Sequence, residues 1–143
     1  MLLRPRRRWV LPASRSLRTF ARAVLVAGAA GSIALMLRTG SHQRSTLLVF
    51  LFTVWVLSPF IALAVANLIA ASWTDARRAA LYGAMIGVSF ISLSIYALDA
   101  LRGPHPQAAF VYVVVPPACW LLIGMAFATA AVLAPKKTRE SPR

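Results

Sequence analysis

The side chains that most often carry chemistry are few in this chain, and their spacing assembles no catalytic set. The acids are Asp75, Asp99 and Glu140. The histidines, His42 and His105, lie outside the long apolar runs. A nucleophile with a nearby base and an orienting carboxylate cannot be built from these positions, and two histidines without a third ligand make a poor metal site. We therefore expect no enzyme, no cofactor and no bound metal.

A few polar side chains lie inside the apolar runs. Asn67 is the only carboxamide among them, and helical spacing places Tyr82, Ser89 and Tyr96 on one face of the third run. An unsatisfied polar group in hydrocarbon costs several kcal/mol, so these groups need partners. We expect Asn67 to bond across helices and the tyrosines to lie near the membrane interfaces. The alternative is a polar lining for a solute or lipid path.

Small residues at helical spacing predict close contacts between helices, because lipid supplies no hydrophobic force between them. The first, third and fourth runs each carry such residues, namely Gly28, Gly31, Gly83, Gly87, Gly124 and Ala128. Gly83 and Gly87 form a GxxxG pattern, which we expect to pack the third helix against its neighbours, with a dimer contact as the alternative. On this interpretation Gly87→Leu should damage folding more than Asn67→Leu.

Prolines interrupt two of the runs. Pro59 removes one helix hydrogen bond and frees the carbonyl of Trp55, which predicts a kink in the second helix. Pro116 and Pro117 predict a second bend in the fourth run.

The elements that position these residues follow from the composition. The 143 residues are 59% apolar and 13% charged, with a mean hydropathy of +0.71, far from the roughly 45–50% and 25% of a soluble domain. Apolar runs of this length predict helices rather than alternating barrel strands. The approximate spans are 20–38, 46–71, 79–98 and 109–134. Their short connections predict an antiparallel bundle of four transmembrane helices over residues 23–134.

The formal net charge of +13 is concentrated at the ends of the chain. Residues 1–22 form a basic segment with seven arginines and no acid, and residues 135–143 form a basic tail. No run has a basic face that could follow nucleic acid, so the expected partner is a bilayer with anionic headgroups at the basic N-terminal segment. A cleaved signal peptide and an organellar presequence are alternative interpretations of this segment.

The orientation follows from the same charges. Four spans place thirteen of the sixteen Lys and Arg residues on one side and three on the other. The positive-inside rule then predicts that both termini are cytoplasmic, in a bacterial inner membrane. We expect a non-enzymatic accessory or assembly partner of another membrane protein, or a self-associating subunit. A small solute or lipid carrier lined by the Tyr/Ser face is the alternative.

Overall fold

The structure is a computed structural model that describes residues 13–39, 45–103 and 108–133. Its helices are α1 (Ala13–Thr39), α2 (Thr46–Ile69), α3 (Asp75–Leu101) and α4 (Ala108–Leu133), with a short 3-10 turn at Ala70–Ser72. All four long helices are long and apolar enough to cross a membrane. His42, His105, most of the basic N-terminal segment and the basic tail lie outside the described residues.

Helix α1 begins earlier than the sequence predicts. It begins at Ala13 instead of residue 20, and its first turns carry Arg15, Arg18 and Arg22. Arginine and serine are compatible with a helix, and the preceding Pro12 is a residue type common where helices begin. The basic segment and the first span are thus partly one helix.

The ends of α2 and α3 follow from local chemistry. The Ser45 hydroxyl accepts a hydrogen bond from the Leu48 N–H at 3.4 Å and caps the first turn of α2. Just after the C-terminal end of α3, Gly103 has a φ of 78°, a left-handed conformation that glycine adopts without steric cost.

Helix α3 is the most extensively packed helix of the described chain, with its largest contacts against α1 and α4. Its inward face carries Leu81, Met85 and Val88, all essentially buried, which belong to one apolar cluster with Val56 and Leu63 of α2. In the described chain α3 is thus the central helix. The face it uses is the Tyr/Ser face and not the Gly83/Gly87 stripe.

The outside of the four helices is apolar. Side chains such as Leu68, Leu101, Leu121 and Val132 are between 71% and 84% exposed. A soluble monomer rarely exposes apolar surface on this scale. This surface and the length of the helices indicate a membrane protein.

Candidate functional site

A polar layer lies inside the bundle, on the face of α3 that meets α1 and α4. Ser89, Ser92 and Tyr96 are buried there. The Ser89 hydroxyl donates to the Met85 carbonyl one turn earlier at 2.7 Å, and the Ser92 oxygen lies 3.3 Å from the Cys119 sulfur of α4. These hydroxyl groups find partners within the chain, which is what burial in an apolar bundle requires.

Helix α1 approaches this layer through two glycines. A Cβ atom at Gly28 would lie 2.6 Å from Ser89 Cβ, and one at Gly31 would lie 2.7 Å from Leu93 Cδ2. Both distances are shorter than real Cβ contacts. The Ser89 Cβ atom cannot move without its backbone, so Gly28 must lack a side chain, whereas the tip of Leu93 can rotate away from Gly31. Ser32, one turn further along α1, is also buried, and its hydroxyl makes no hydrogen bond within the described ranges.

At the end of α3 where Asp99 lies, aromatic side chains fill the space between helices. Tyr96 stacks on Tyr112 of α4 with ring centroids 4.7 Å apart and an interplanar angle of 14°. The Tyr112 hydroxyl lies 3.1 Å from Thr39 Oγ1 of α1. Because the Thr39 hydroxyl donates to the Leu35 carbonyl, the tyrosine is the donor in this pair. Tyr96 is thus buried between α3 and α4 near the end of α3, and its predicted position near a membrane interface stays a prediction.

Two tryptophans form hydrogen bonds between α2 and α4 near the prolines of these helices. Pro59 leaves the Trp55 carbonyl without its helix donor, and the Ser58 hydroxyl donates to this carbonyl at 2.9 Å. The Trp120 indole N–H of α4 in turn donates to Ser58 Oγ at 3.3 Å.

A second hydrogen bond runs in the opposite direction, from a tryptophan of α2 to a carbonyl of α4 that a proline leaves without its helix donor. Pro117 frees the carbonyl of Val113, and the Trp55 indole N–H donates to that carbonyl at 3.3 Å. Helix α2 continues through Pro59, and α4 continues through Pro116 and Pro117. The sequence does not predict this reciprocal arrangement, although each helix has a tryptophan three or four residues from a proline. The predicted kinks stay predictions.

Asn67 binds across helices. It is 4% exposed, and its amide oxygen accepts hydrogen bonds from Arg22 Nε at 2.6 Å and Arg22 Nη2 at 3.2 Å when the amide is oriented to satisfy both of its polar atoms. An arginine partner was not evident from the sequence, because Arg22 belongs to the basic N-terminal segment, whose expected partner is the anionic headgroups of a bilayer.

The small residues of α3 and α4 are among those predicted to bring helices together. A Cβ atom at Gly83, Gly87 or Gly124 would meet nothing within 4 Å, and Ala128 is exposed. At these glycines no close approach to another helix is seen among the described residues, and the predicted packing role stays a prediction. The physical reason is that α3 turns its polar face towards α1 and α4, where Ser89, Ser92 and Tyr96 find partners.

The arrangement offers packing and hydrogen bonding, not a set of reactive groups. Within the described ranges, no three His, Cys, Asp or Glu side chains lie together in a way that could hold a metal ion. Tyr82 is half-buried at the edge of the polar layer on α3, and Asp99 is buried near the C-terminal end of the same helix. Comparison of the chain with protein families, curated proteins and solved structures found no match.

Proposed function

We propose that this chain is a non-enzymatic, multi-pass protein of the bacterial inner membrane that acts by helix–helix contact. It would serve as an accessory or assembly partner of another membrane protein, or as a self-associating subunit. The observation that supports this function is that the polar residues of α3 and its Gly83/Gly87 stripe lie on different faces of the helix. Ser89 and Ser92 in the polar interior have partners within the chain, while a Cβ atom at Gly83 or Gly87 would meet no neighbouring helix within 4 Å.

The order of the contacts supports an antiparallel up-and-down bundle as part of this proposal. Residue numbers rise together in the contacts between α1 and α3, and they run in opposite order between α3 and α4. These contacts are Gly28–Ser89 and Gly31–Leu93, and Ser92–Cys119 and Tyr96–Tyr112. Helices that alternate in direction across a membrane produce this pattern. With the thirteen-to-three division of basic residues, it favours cytoplasmic termini.

The outward stripe is suited to a partner helix for a physical reason. Lipid tails are as apolar as leucine, so helices associate in membranes through close van der Waals contact and polar bonds. Only small residues allow two backbones to approach. Gly83 and Gly87 offer such a surface on the best-packed helix of the bundle.

Co-purification from native membranes tests the proposal. Two differently tagged copies of the full chain would be co-expressed, extracted in mild detergent, and analysed for the second copy and for other membrane proteins by mass spectrometry. Gly87→Leu should reduce recovery of the partner, because the leucine holds the other backbone away. Its thermal stability in detergent should not fall, since a Cβ atom at this position would meet nothing within 4 Å.

Ala64→Leu on α2 is the control, because Ala64 is another small residue within a span and is exposed. It should leave partner recovery unchanged. Equal recovery with both variants would contradict a contact through the glycine stripe. A wild-type protein that recovers neither a second copy nor another membrane protein would contradict the proposed function itself.

A further inference from the structure

The end of the bundle where α1 begins carries positive charge that the described residues do not neutralise. Arg15, Arg18 and Arg22 lie on the first turns of α1. The parallel order of the contacts between α1 and α3 places them at the same end of the bundle as the start of α3, which carries Arg77 and Arg78. A single carboxylate lies at this end in the described chain. It belongs to Asp75, which is almost fully exposed and lies 4.0 Å from Arg78. The other described acid, Asp99, is at the opposite end of α3, and Glu140 lies outside the described residues.

Arg22 is held in one orientation by a neutral group. Its Nε and Nη2 atoms donate to the amide oxygen of the buried Asn67. This contact fixes one edge of the guanidinium group without cancelling its charge. The Nη1 atom and the second Nη2 hydrogen remain available to another acceptor, because a guanidinium group has five N–H donors.

Arg18 lies one turn before Arg22 on the same side of α1. Its Nε atom is buried and makes no hydrogen bond within the part of the chain that the structure describes. Two like charges four residues apart on a helix repel each other, and partial loss of water strengthens the attraction of a guanidinium group for an anion. Both effects favour an anion that contacts the two arginines together.

We propose that Arg18 and Arg22, with Asn67 as the residue that positions Arg22, bind the phosphate group of an anionic phospholipid at the α1–α2 contact. Phosphate oxygens match the planar fork of a guanidinium group and accept from two such groups at once. The depth fits a headgroup, since Trp73, a residue type typical of the interface, follows α2 at this end. Leu17 and Phe20 are exposed beside the arginines and offer apolar contact for acyl chains.

This site differs from general attraction of the basic N-terminal segment to a charged surface, because it assigns one phosphate to two named side chains. It also goes beyond the proposed contact function and does not depend on it. A lipid headgroup and free phosphate share the same chemistry, so the experiment must distinguish these two sources.

The test titrates the full chain, purified in nonionic detergent, with phosphatidylglycerol, phosphatidylcholine or inorganic phosphate, and follows bound lipid by native mass spectrometry and the shift in Tm. Phosphatidylglycerol should bind in a saturable way and raise the Tm, whereas phosphatidylcholine should not. Arg18→Gln and Arg22→Gln should each weaken apparent affinity by about tenfold or more. A saturable rise in Tm with inorganic phosphate that depends on Arg22 would assign the site to a soluble phosphate ligand.

Asn67→Asp adds a test that a merely structural role would not affect. The new carboxylate would neutralise Arg22, so it should remove the phosphatidylglycerol response without lowering the Tm in detergent. Arg77→Gln is the matched control, because Arg77 is an exposed cation at the same end, and it should change affinity by less than about twofold. Equal losses for Arg77→Gln, Arg18→Gln and Arg22→Gln would overturn the site, as would a full lipid response in Asn67→Asp.

Discussion

At the scale of single residues, the close approach of α1 to α3 depends on a glycine, which has no side chain. Gly28 of α1 lies against the Cβ and Cα atoms of Ser89, and neither atom can move without a shift of the α3 backbone. Gly31 lies against the tip of the Leu93 side chain, which can rotate away. Gly87 has free space around it. These three glycines differ in environment while sharing the same intrinsic helix propensity.

We therefore expect a graded response to alanine. Gly28→Ala should lower the free energy of unfolding by about 1–3 kcal/mol through overpacking. Gly31→Ala should cost less, and Gly87→Ala should be neutral or stabilising because alanine favours a helix over glycine. Unfolding of the three variants in mixed micelles measures this order. A Gly87→Ala variant that is the least stable of the three would show that α3 packs through its outer stripe after all.

These contacts lead us to expect the opposite order of damage for Gly87→Leu and Asn67→Leu. Asn67 is buried and holds a guanidinium group, while a Cβ atom at Gly87 would meet nothing within 4 Å. Sequence reasoning could identify both residues as special but could not rank them. Helix α3 has small residues on two faces, and the face that turns inward is decided by which polar groups the neighbouring helices can satisfy.

At the scale of the elements, α2 and α4 repair each other's proline breaks. The Trp55 indole donates to the Val113 carbonyl, which Pro117 leaves without a helix donor. The Trp120 indole donates to Ser58, whose hydroxyl reaches the carbonyl freed by Pro59. A carbonyl without a partner is costly where water is absent, so each helix tolerates its prolines because the other lies beside it.

A double-mutant cycle tests this coupling between the two helices. Trp55→Phe removes the indole donor and should lower the free energy of unfolding by about 0.5–1.5 kcal/mol. Pro117→Ala restores the backbone donor to Val113, so Trp55→Phe should cost less in that background. The difference is measured from four unfolding curves in one detergent. Equal costs of Trp55→Phe in both backgrounds would mean that the indole does not replace the lost helix bond.

The spans themselves follow from the sequence more fully than their faces do. The predicted limits of the second, third and fourth helices agree with the structure to within a few residues, because an uninterrupted apolar run has no other stable structure in lipid. The early start of α1 could not be deduced from hydropathy, since its first turns are basic. The tryptophan contacts were equally inaccessible, because they join residues 58 and 62 positions apart.

At the scale of the whole molecule, the topology depends on whether α1 crosses the membrane and in which direction. Its apolar run is the shortest of the four in the sequence, yet the helix provides a candidate span from Arg15 to Thr39. Twenty-five residues at 1.5 Å each extend about 37 Å, and the hydrocarbon core is about 30 Å thick. The arginines in the first turns can reach the headgroups through their long side chains, so the helix is long enough for a first span, and the distribution of basic residues then predicts its direction.

A reporter inserted after Gly40 should therefore lie outside the cytoplasm, while reporters after Ser72 and Arg143 should lie inside. Thirteen of the sixteen basic residues are then cytoplasmic, where the membrane potential and anionic lipids hold them. Without the first span, the Gly40 and Ser72 reporters would still differ, but the Gly40 reporter would share its side with the N-terminal segment. Alkylation of single cysteines at Ser14 and Gly40, in a Cys119→Ser background, distinguishes the two topologies in intact cells. Labelling of both cysteines from the same side would show that α1 does not cross the membrane.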